Sequence, residues 1–492
     1  MSIYKSFEQA KNGTSIPVFL SGRSMESRYN PERDAENLCA SITEEHSFFL
    51  VLGIGSGLFI QKLSERFPSA KIIGLELFEE DITFLNQSKV INQLKEKDNI
   101  IFSSLHSIEK TLCENYLPAK HDEIKIIEQR AWIQENKDYI ENINHILQKA
   151  LGIISADYSV QAHFGKIWTS NILNNSKLVK SEDYQTNFDT SKTAVIVAAG
   201  PTLDKTISIL NEREKYFVIS TDTATSVLVR HSITPDVVIS IDGQNVSYNH
   251  FHKCPATLYA FDLCSNFSAA KHVSKHHNKI MFFCSGHPLT LAINSCNQNK
   301  LPFLFSGAGT VTITAVDFAI QAGFTNLLIL GADFSYSNGK AYAQGTYLDS
   351  LYHKASSKIN SPEYSFSKLF FRTPLNQKGS VFTTDILEAY RTSLEKYLEN
   401  KNITFIKEND VYKLDCSNCN SSQTLFPYQS ENTSWKFSLS SFFEKFESST
   451  PEEAETILLP YIAWLKNNKK YKNSPYSELL KLAFNTIVSY KK

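Results

Sequence analysis

The chain has 492 residues, 42% of them apolar and 21% charged, and its 50 basic and 51 acidic side chains leave a net charge of −1. That balance gives no electrostatic footprint for nucleic acid or an anionic membrane surface, and no apolar run reaches the roughly 18 residues of a spanning helix. The opening Met1-Ser2-Ile3-Tyr4-Lys5-Ser6-Phe7-Glu8 lacks a basic segment followed by an apolar one, so a cytoplasmic protein without membrane insertion is expected.

The first forty residues are polar, with loops at Gly22–Met25 and Tyr29–Pro31 ahead of an amphipathic stretch over 32–42. Ser47–Leu52 reads as a buried strand that ends in Gly53-Ile54-Gly55-Ser56-Gly57. A helical pattern over 58–67 and a second strand, Lys71–Leu75, closing on Glu76 complete a Rossmann-like unit. Close glycines permit a tight turn against a ligand, and an acid at a strand tip can hold ribose hydroxyls. The loop resembles the Gly-rich motif of S-adenosylmethionine-dependent methyltransferases. Whether it binds a nucleoside or only retains the scaffold stays open at this level.

Residues 107–176 are mostly helical, with helices over 136–151 and 160–173, and the polar segment 176–191 marks a boundary. The expected division is a Rossmann-like domain over 1–145, a helical connector and linker over 146–190, a central domain over 191–410 and a helical region over 411–492.

The central domain carries the chemistry. Ala194–Ala199 is a short Val/Ile strand stopped by Gly200-Pro201, and Thr202 can N-cap a helix over 203–213. Two further strands, Phe217–Ser220 and Val237–Ile241, end in Thr221-Asp222-Thr223-Ala224 and Asp242-Gly243. Polar groups thus gather at the C-terminal ends of three strands, the edge where open α/β sheets bind ligands. A glycine lets backbone approach a phosphate, and a helix start offers free N–H groups. Strands over 257–261, 279–284 and 301–305 continue the sheet. The turn Ser306-Gly307-Ala308-Gly309-Thr310 leads into a helix over 315–322, and the strand Asn326–Leu330 ends in Gly331-Ala332-Asp333-Phe334-Ser335-Tyr336. A helix over 384–400, an edge strand over 403–406 and tail helices over 439–448, 451–467 and 474–490 follow. The tail is expected to pack on the core, with an oligomer face or an acceptor-binding surface as the alternatives. Cys416-Ser417-Asn418-Cys419 is a single CxxC without two further ligands, so no metal site is expected.

In order along the chain, Gly200-Pro201-Thr202-Leu203, Thr221-Asp222-Thr223-Ala224, Ile233-Thr234-Pro235-Asp236, Ile241-Asp242, Gly309-Thr310-Val311-Thr312 and Gly331-Ala332-Asp333 through Ala341–Thr346 resemble the motility-associated factor (Maf) family. The resemblance implies an N-terminal Rossmann-like domain, a central sialyltransferase-like α/β nucleotide-binding domain and a C-terminal helical region. It implies a glycosyltransferase that moves a nonulosonic (sialic-acid-like) sugar from a CMP-activated donor to Ser or Thr of flagellin, with no tightly bound cofactor. The same central domain also looks like archaeal 6-hydroxymethylpterin diphosphokinases, which transfer pyrophosphate from ATP. A flagellin-binding scaffold without catalysis is a third reading.

Carried across residue by residue, the resemblance implies a nucleotide pocket lined by Gly200, Pro201, Thr202, Ser306, Gly307, Gly309 and Thr310, with Asp222, Thr223, Asp242 and Asp333 nearby. Two tyrosines beyond the strand tip hold the CMP phosphate in the related sialyltransferases. Tyr342 matches directly, whereas Tyr336 is shifted by one position, with Ser335 as the alternative. The general base there is a downstream histidine; His353 is the histidine that follows the motif, at a spacing that does not match. The sequence contains no DxD pair of the kind that grips a sugar diphosphate through a cation.

Overall fold

The computed structural model describes residues 2–184, 187–251, 254–276, 279–307, 309–337, 339–379, 381–419 and 435–491. Ala308 of the glycine turn and residues 185 and 186 of the expected linker lie outside the described residues. The chain divides into two compact units: residues 1–165 with 459–479, and residues 166–458 with 480–492.

The first unit opens with an antiparallel hairpin, β1 (Tyr4–Gln9) and β2 (Ser15–Phe19), in a segment whose polar composition predicts loop. Its parallel sheet contains β3 (Phe48–Leu52), β4 (Lys71–Glu76), β5 (Ile100–Ser104) and β6 (Lys125–Glu128), in the order β5-β4-β3-β6. All five residues of β3, Phe-Phe-Leu-Val-Leu, are buried, as expected for a strand with both faces covered.

A single helix, Ile140–Asn175, replaces the two helices expected around 136–173. Gly152 is exposed inside it, and Gly165 sits where any Cβ would lie 1.8 Å from the Pro460 carbonyl oxygen. Gly165 marks close packing against a C-terminal helix, Glu455–Asn467. Lys466 of that helix donates to the Pro118 carbonyl at 3.4 Å.

The second unit is built on an eight-stranded sheet with parallel strands β7 (Thr193–Val197), β8 (Tyr216–Thr221), β9 (Val237–Ser240), β10 (Leu258–Asp262), β11 (Ile280–Phe283) and β12 (Asn326–Leu330). Beyond a small hairpin, β13 (Asn376–Lys378) and β14 (Val381–Thr383), the strands β15 (Thr404–Glu408) and β16 (Val411–Asp415) add an antiparallel edge. The order is β11-β10-β9-β8-β7-β12-β16-β15. The chain therefore steps outward from β7 to β11 and then returns to lay β12 on the other side of β7.

Three expectations change. Leu301–Phe305 makes one isolated bridge, Cys284 with Phe303, instead of a strand. Pro302 has no N–H to donate to a ladder, and the Phe305 N–H goes to Asp317 Oδ2 at 2.7 Å. The helix over 203–213 is α-helical only from Leu203 to Thr206 before 3-10 turns over Ile207–Asn211 and Arg213–Lys215. The tail is not one helical domain: 459–479 belongs to the first unit, and Phe484 stacks on Phe446 within the second, with ring centres 4.6 Å apart. Among the described residues no helix is long and apolar enough to cross a membrane.

Candidate functional site

The strand order places a topological switch point between β7 and β12, the crevice where doubly wound sheets take ligands. The loops leaving those strands are Ala198–Thr202 and Gly331–Asp333, and they are cross-linked. Ala198 N–H donates to the Leu330 carbonyl at 2.9 Å and Gly200 N–H to the Gly331 carbonyl at 2.8 Å. The Asp333 carboxylate accepts the Thr202 N–H on Oδ2 at 2.7 Å and the Thr202 hydroxyl on Oδ1. Burial raises the Asp333 pKa, and both Thr202 bonds oppose it.

The glycines serve this cross-link. A Cβ on Gly200 would stand 2.5 Å from the Gly331 carbonyl oxygen and 2.7 Å from Asp333 Oδ2. Gly331 has φ +68° and would press a Cβ to 2.3 Å from the Ala198 carbonyl oxygen. Gly200 thus faces the chain's own backbone, where the sequence suggests approach of a phosphate. Pro201 follows it, buried, at the turn.

Next along the edge, Asp222 is buried at the start of the helix Asp222–Arg230. Its Oδ2 accepts the Ser240 hydroxyl at 2.6 Å and its Oδ1 the Thr223 N–H at 2.7 Å and hydroxyl at 3.1 Å. Asp242 accepts the Gln244 N–H at 2.8 Å. Burial raises its carboxyl, the Asp222 charge adds to that, and Gln244 and His250 oppose it.

The segment after Asp333 returns over the crevice. Tyr336 pairs through its backbone with Phe382, and its ring lies 4.7 Å from that of Phe370. Lys340 and the Gln344 N–H both reach the Asp204 carboxylate, at 3.2 and 2.8 Å, while Ala343 N–H donates to the Ala199 carbonyl at 2.8 Å. These bonds strap Tyr342 beside the β7 loop. Burial raises the Tyr342 phenol, and the neighbouring charges of Tyr336, Tyr352, Asp222 and Tyr390 add to the effect. Tyr336 thus lies near enough to Tyr342 for its charge to weigh on that phenol.

The Ser306–Thr310 turn precedes the helix Val311–Gln321, with Thr310 at the N-cap. Gly307 packs against Ile313 and Ser393, whereas Gly309 has φ +87° and open space where a Cβ would go. His353 stands apart from this arrangement. It is on the helix Tyr347–Lys354 with its side chain 58% exposed, and its Nδ1 faces the Asp349 carbonyl at 2.8 Å.

One residue that the sequence leaves unmarked is His250. It lies in the 3-10 turn Asn245–Phe251 that follows Asp242, and its ring meets that of Tyr347 edge-on at 5.9 Å. The available signal is a His and Tyr cluster, Tyr248-Asn249-His250, directly after a strand-tip Asp-Gly. A hollow of about 620 Å³ lined by Asn245, Tyr248, Lys271, His272, Lys275 and His276 contains none of the sequence-predicted residues. Its walls are mostly exposed helix surface, so the chemistry is assigned to the crevice.

The first unit has a switch point too, between β3 and β6, and the chain fills it. A Cβ on Gly53 would lie 2.6 Å from the Trp132 ring, and one on Gly55 would lie 2.4 Å from Glu26 Oε1. Glu76 Oε1 accepts Ile54 N–H at 2.7 Å, Gly55 N–H at 3.4 Å and the Tyr4 hydroxyl at 3.0 Å, while Oε2 accepts the Trp132 indole N–H at 2.7 Å. The acid that could have held ribose hydroxyls is fully buried and engaged by four internal donors. Burial pushes its carboxyl up, against the pull of those bonds. Cys416 and Cys419 are free thiols, and among the described residues no group of three or more His, Cys, Asp or Glu is placed to hold a metal.

Residues 168–339 match the family model for 6-hydroxymethylpterin diphosphokinase MptE-like proteins. Two uncharacterized proteins of Treponema pallidum (strain Nichols) are similar. One is 28% identical over 234 residues, 47% of this chain and 75% of that protein. The other is 33% identical over 154 residues, 31% of this chain and 73% of that protein. Among solved structures, the Maf glycosyltransferase from Magnetospirillum magneticum AMB-1 superposes with a TM-score of 0.53 at 13% identity, covering 100% of this chain and 86% of that one. The chain belongs to one family with the second of these Treponema pallidum proteins, its residues 168–339 match the MptE-like domain, and its fold is that of a Maf glycosyltransferase.

Proposed function

We propose that the chain is a protein O-glycosyltransferase that transfers a nonulosonic sugar from a CMP-activated donor to Ser or Thr of flagellin. The observation that supports this reading is the strap that holds Tyr342 beside the cross-linked loops of the β7/β12 switch point, with Tyr336 near enough to feel its charge. Transfer with departure of a nucleotide phosphate needs donors aimed at the developing charge and a base for the acceptor hydroxyl. Phenol hydroxyls that burial keeps protonated supply the first need, and Tyr342 is such a donor. The amides of the Gly200–Thr202 loop are taken by Gly331 and Asp333, so the start of the helix Val311–Gln321 is the remaining backbone donor for the nucleotide.

The family model favours a second reading, pyrophosphate transfer from ATP to a pterin. That chemistry uses Mg²⁺ on carboxylates. Asp222 and Asp333 already accept hydrogen bonds on both oxygens, and Asp242 on one, so the carboxylates are committed to the fold. Incubating the purified chain with a CMP-nonulosonic acid and flagellin, and in parallel with ATP, Mg²⁺ and 6-hydroxymethylpterin, separates the two. A sugar-sized mass increase on flagellin is expected. Release of AMP that depends on the pterin, with flagellin unmodified, would replace the transferase by the diphosphokinase.

A further inference from the structure

We infer that His250 is the base that takes the proton of the acceptor hydroxyl, an assignment that rests on the transferase reading above. Four pieces of the second unit form a chain of contacts around the crevice. The Thr202–Asp333 cross-link leads to the strap Lys340–Gln344, fixed on Asp204 and on the Ala199 carbonyl. Five residues beyond Tyr342, the ring of Tyr347 meets His250 edge-on at 5.9 Å. From His250 the turn leads back to Asp242, whose own carbonyl accepts the Ser247 hydroxyl at 3.3 Å. Asp242 in turn lies near enough to Asp222 and His250 to feel both charges.

Within that arrangement the His250 Nδ1 is buried and has no hydrogen-bond partner among the described residues. A buried ring nitrogen left unsatisfied by the protein is a site that a ligand hydroxyl can complete. His287 Nε2 is buried without a partner among the described residues as well, but His287 follows β11 at the far edge of the sheet, four strands from β7. His353 Nδ1 is held by Asp349 on an exposed helix, and His287 Nδ1 caps the helix Pro288–Cys296 by accepting the Leu289 N–H at 3.2 Å.

The step balances without a further reactant. The acceptor oxygen forms its bond to the anomeric carbon as its O–H bond breaks, and that proton passes to the His250 imidazole. The bond from the anomeric carbon to the phosphate oxygen breaks, and its electron pair leaves on CMP, with Tyr342 and Tyr336 donating hydrogen bonds to the phosphate. His250 then returns its proton to solvent.

The test compares wild type, His250→Asn, His250→Ala and His353→Ala for transfer to flagellin, with CMP affinity measured by calorimetry on the same samples. For both His250 variants kcat is expected to fall about 100-fold or more, the usual contribution of a general base, while CMP affinity stays within about threefold. Added imidazole should restore part of the activity of His250→Ala, and His353→Ala should keep transfer near wild type. Transfer by the His250 variants at the wild-type rate overturns the assignment. So does loss of CMP affinity in step with transfer in both variants without imidazole rescue, and so does collapse of transfer in His353→Ala alone. Wild type that binds CMP yet modifies no acceptor defeats the transferase reading and this assignment with it.

Discussion

Replacing Glu76 by Gln tests whether the first unit's glycine loop is closed by its own side chains. Glu76 Oε1 serves three donors, Ile54 N–H, Gly55 N–H and Tyr4 O–H, and Oε2 serves the Trp132 indole N–H. The amide oxygen of a Gln is best placed at the Oε1 position, so its NH₂ must face the indole N–H. Two buried donors then oppose each other, at about 1–3 kcal/mol for each unsatisfied group. A total near 3 kcal/mol raises the opening equilibrium by about 100-fold, since 1.4 kcal/mol is tenfold. Trp132→Phe removes the indole donor and leaves Oε2 without a partner, again costing about 1–3 kcal/mol. In the double variant the opposed donors are gone, so its cost should fall short of the sum by at least about 1 kcal/mol. Amide hydrogen exchange at Ile54 and Gly55 reads this locally, with urea unfolding of the full chain as the global measure. Exchange in Glu76→Gln within threefold of wild type, or strictly additive single variants, would refute the reasoning.

Three further outcomes follow from the same geometry. Glu26 Oε2 is buried without a hydrogen-bond partner among the described residues, its Oε1 accepts the Ser56 N–H at 2.6 Å, and burial pushes its carboxyl from 4.5 to about 7. A carboxyl raised in the folded state gives stability that is complete below its unfolded pKa and is lost as pH rises through the folded one. The first unit should therefore lose roughly 3 to 4 kcal/mol between about pH 4.5 and 7, at 1.36 kcal/mol per unit, and Glu26→Gln should flatten that slope in urea unfolding at stepped pH. Gly331→Ala, with φ +68° and a contact at 2.3 Å to the Ala198 carbonyl, should destabilise the second unit by about 2 kcal/mol or more in thermal unfolding and abolish transfer, whereas Gly309→Ala, with open space around it, should cost about 1 kcal/mol. S-adenosylmethionine should show no binding in equilibrium dialysis, because Trp132 and Glu26 stand where it would approach Gly53 and Gly55.

Much of this was legible in the chain because parallel strands buried on both faces read as short Val, Ile and Phe runs. The runs Phe48–Leu52, Thr193–Val197 and Asn326–Leu330 stop at glycine turns as the residues predict. Strand order was not legible. Nothing local states that β12 lies beside β7, and without that pairing Gly200 reads as a phosphate approach when its missing Cβ makes room for Gly331 and Asp333. The N-terminal hairpin escaped notice because its outward residues are polar, and the close packing at Gly165 was not visible because the Pro460 backbone it admits lies far along the chain. Glu76 looked available because its partners Tyr4 and Trp132 come from outside the strand-turn-strand unit. His250 went unseen for the same reason: its neighbour Tyr347 is distant in sequence.

The central claim is tested most directly by the intact mass of flagellin co-expressed with this chain and a CMP-nonulosonic-acid pathway, comparing wild type with Tyr342→Phe. The account predicts a sugar-sized increase for wild type and a drop of about 100-fold or more in modification for the variant, in line with removal of a donor to the developing phosphate charge. Equal modification by the two would remove Tyr342 from the chemistry, and an unmodified flagellin in the wild-type sample would contradict the transferase itself.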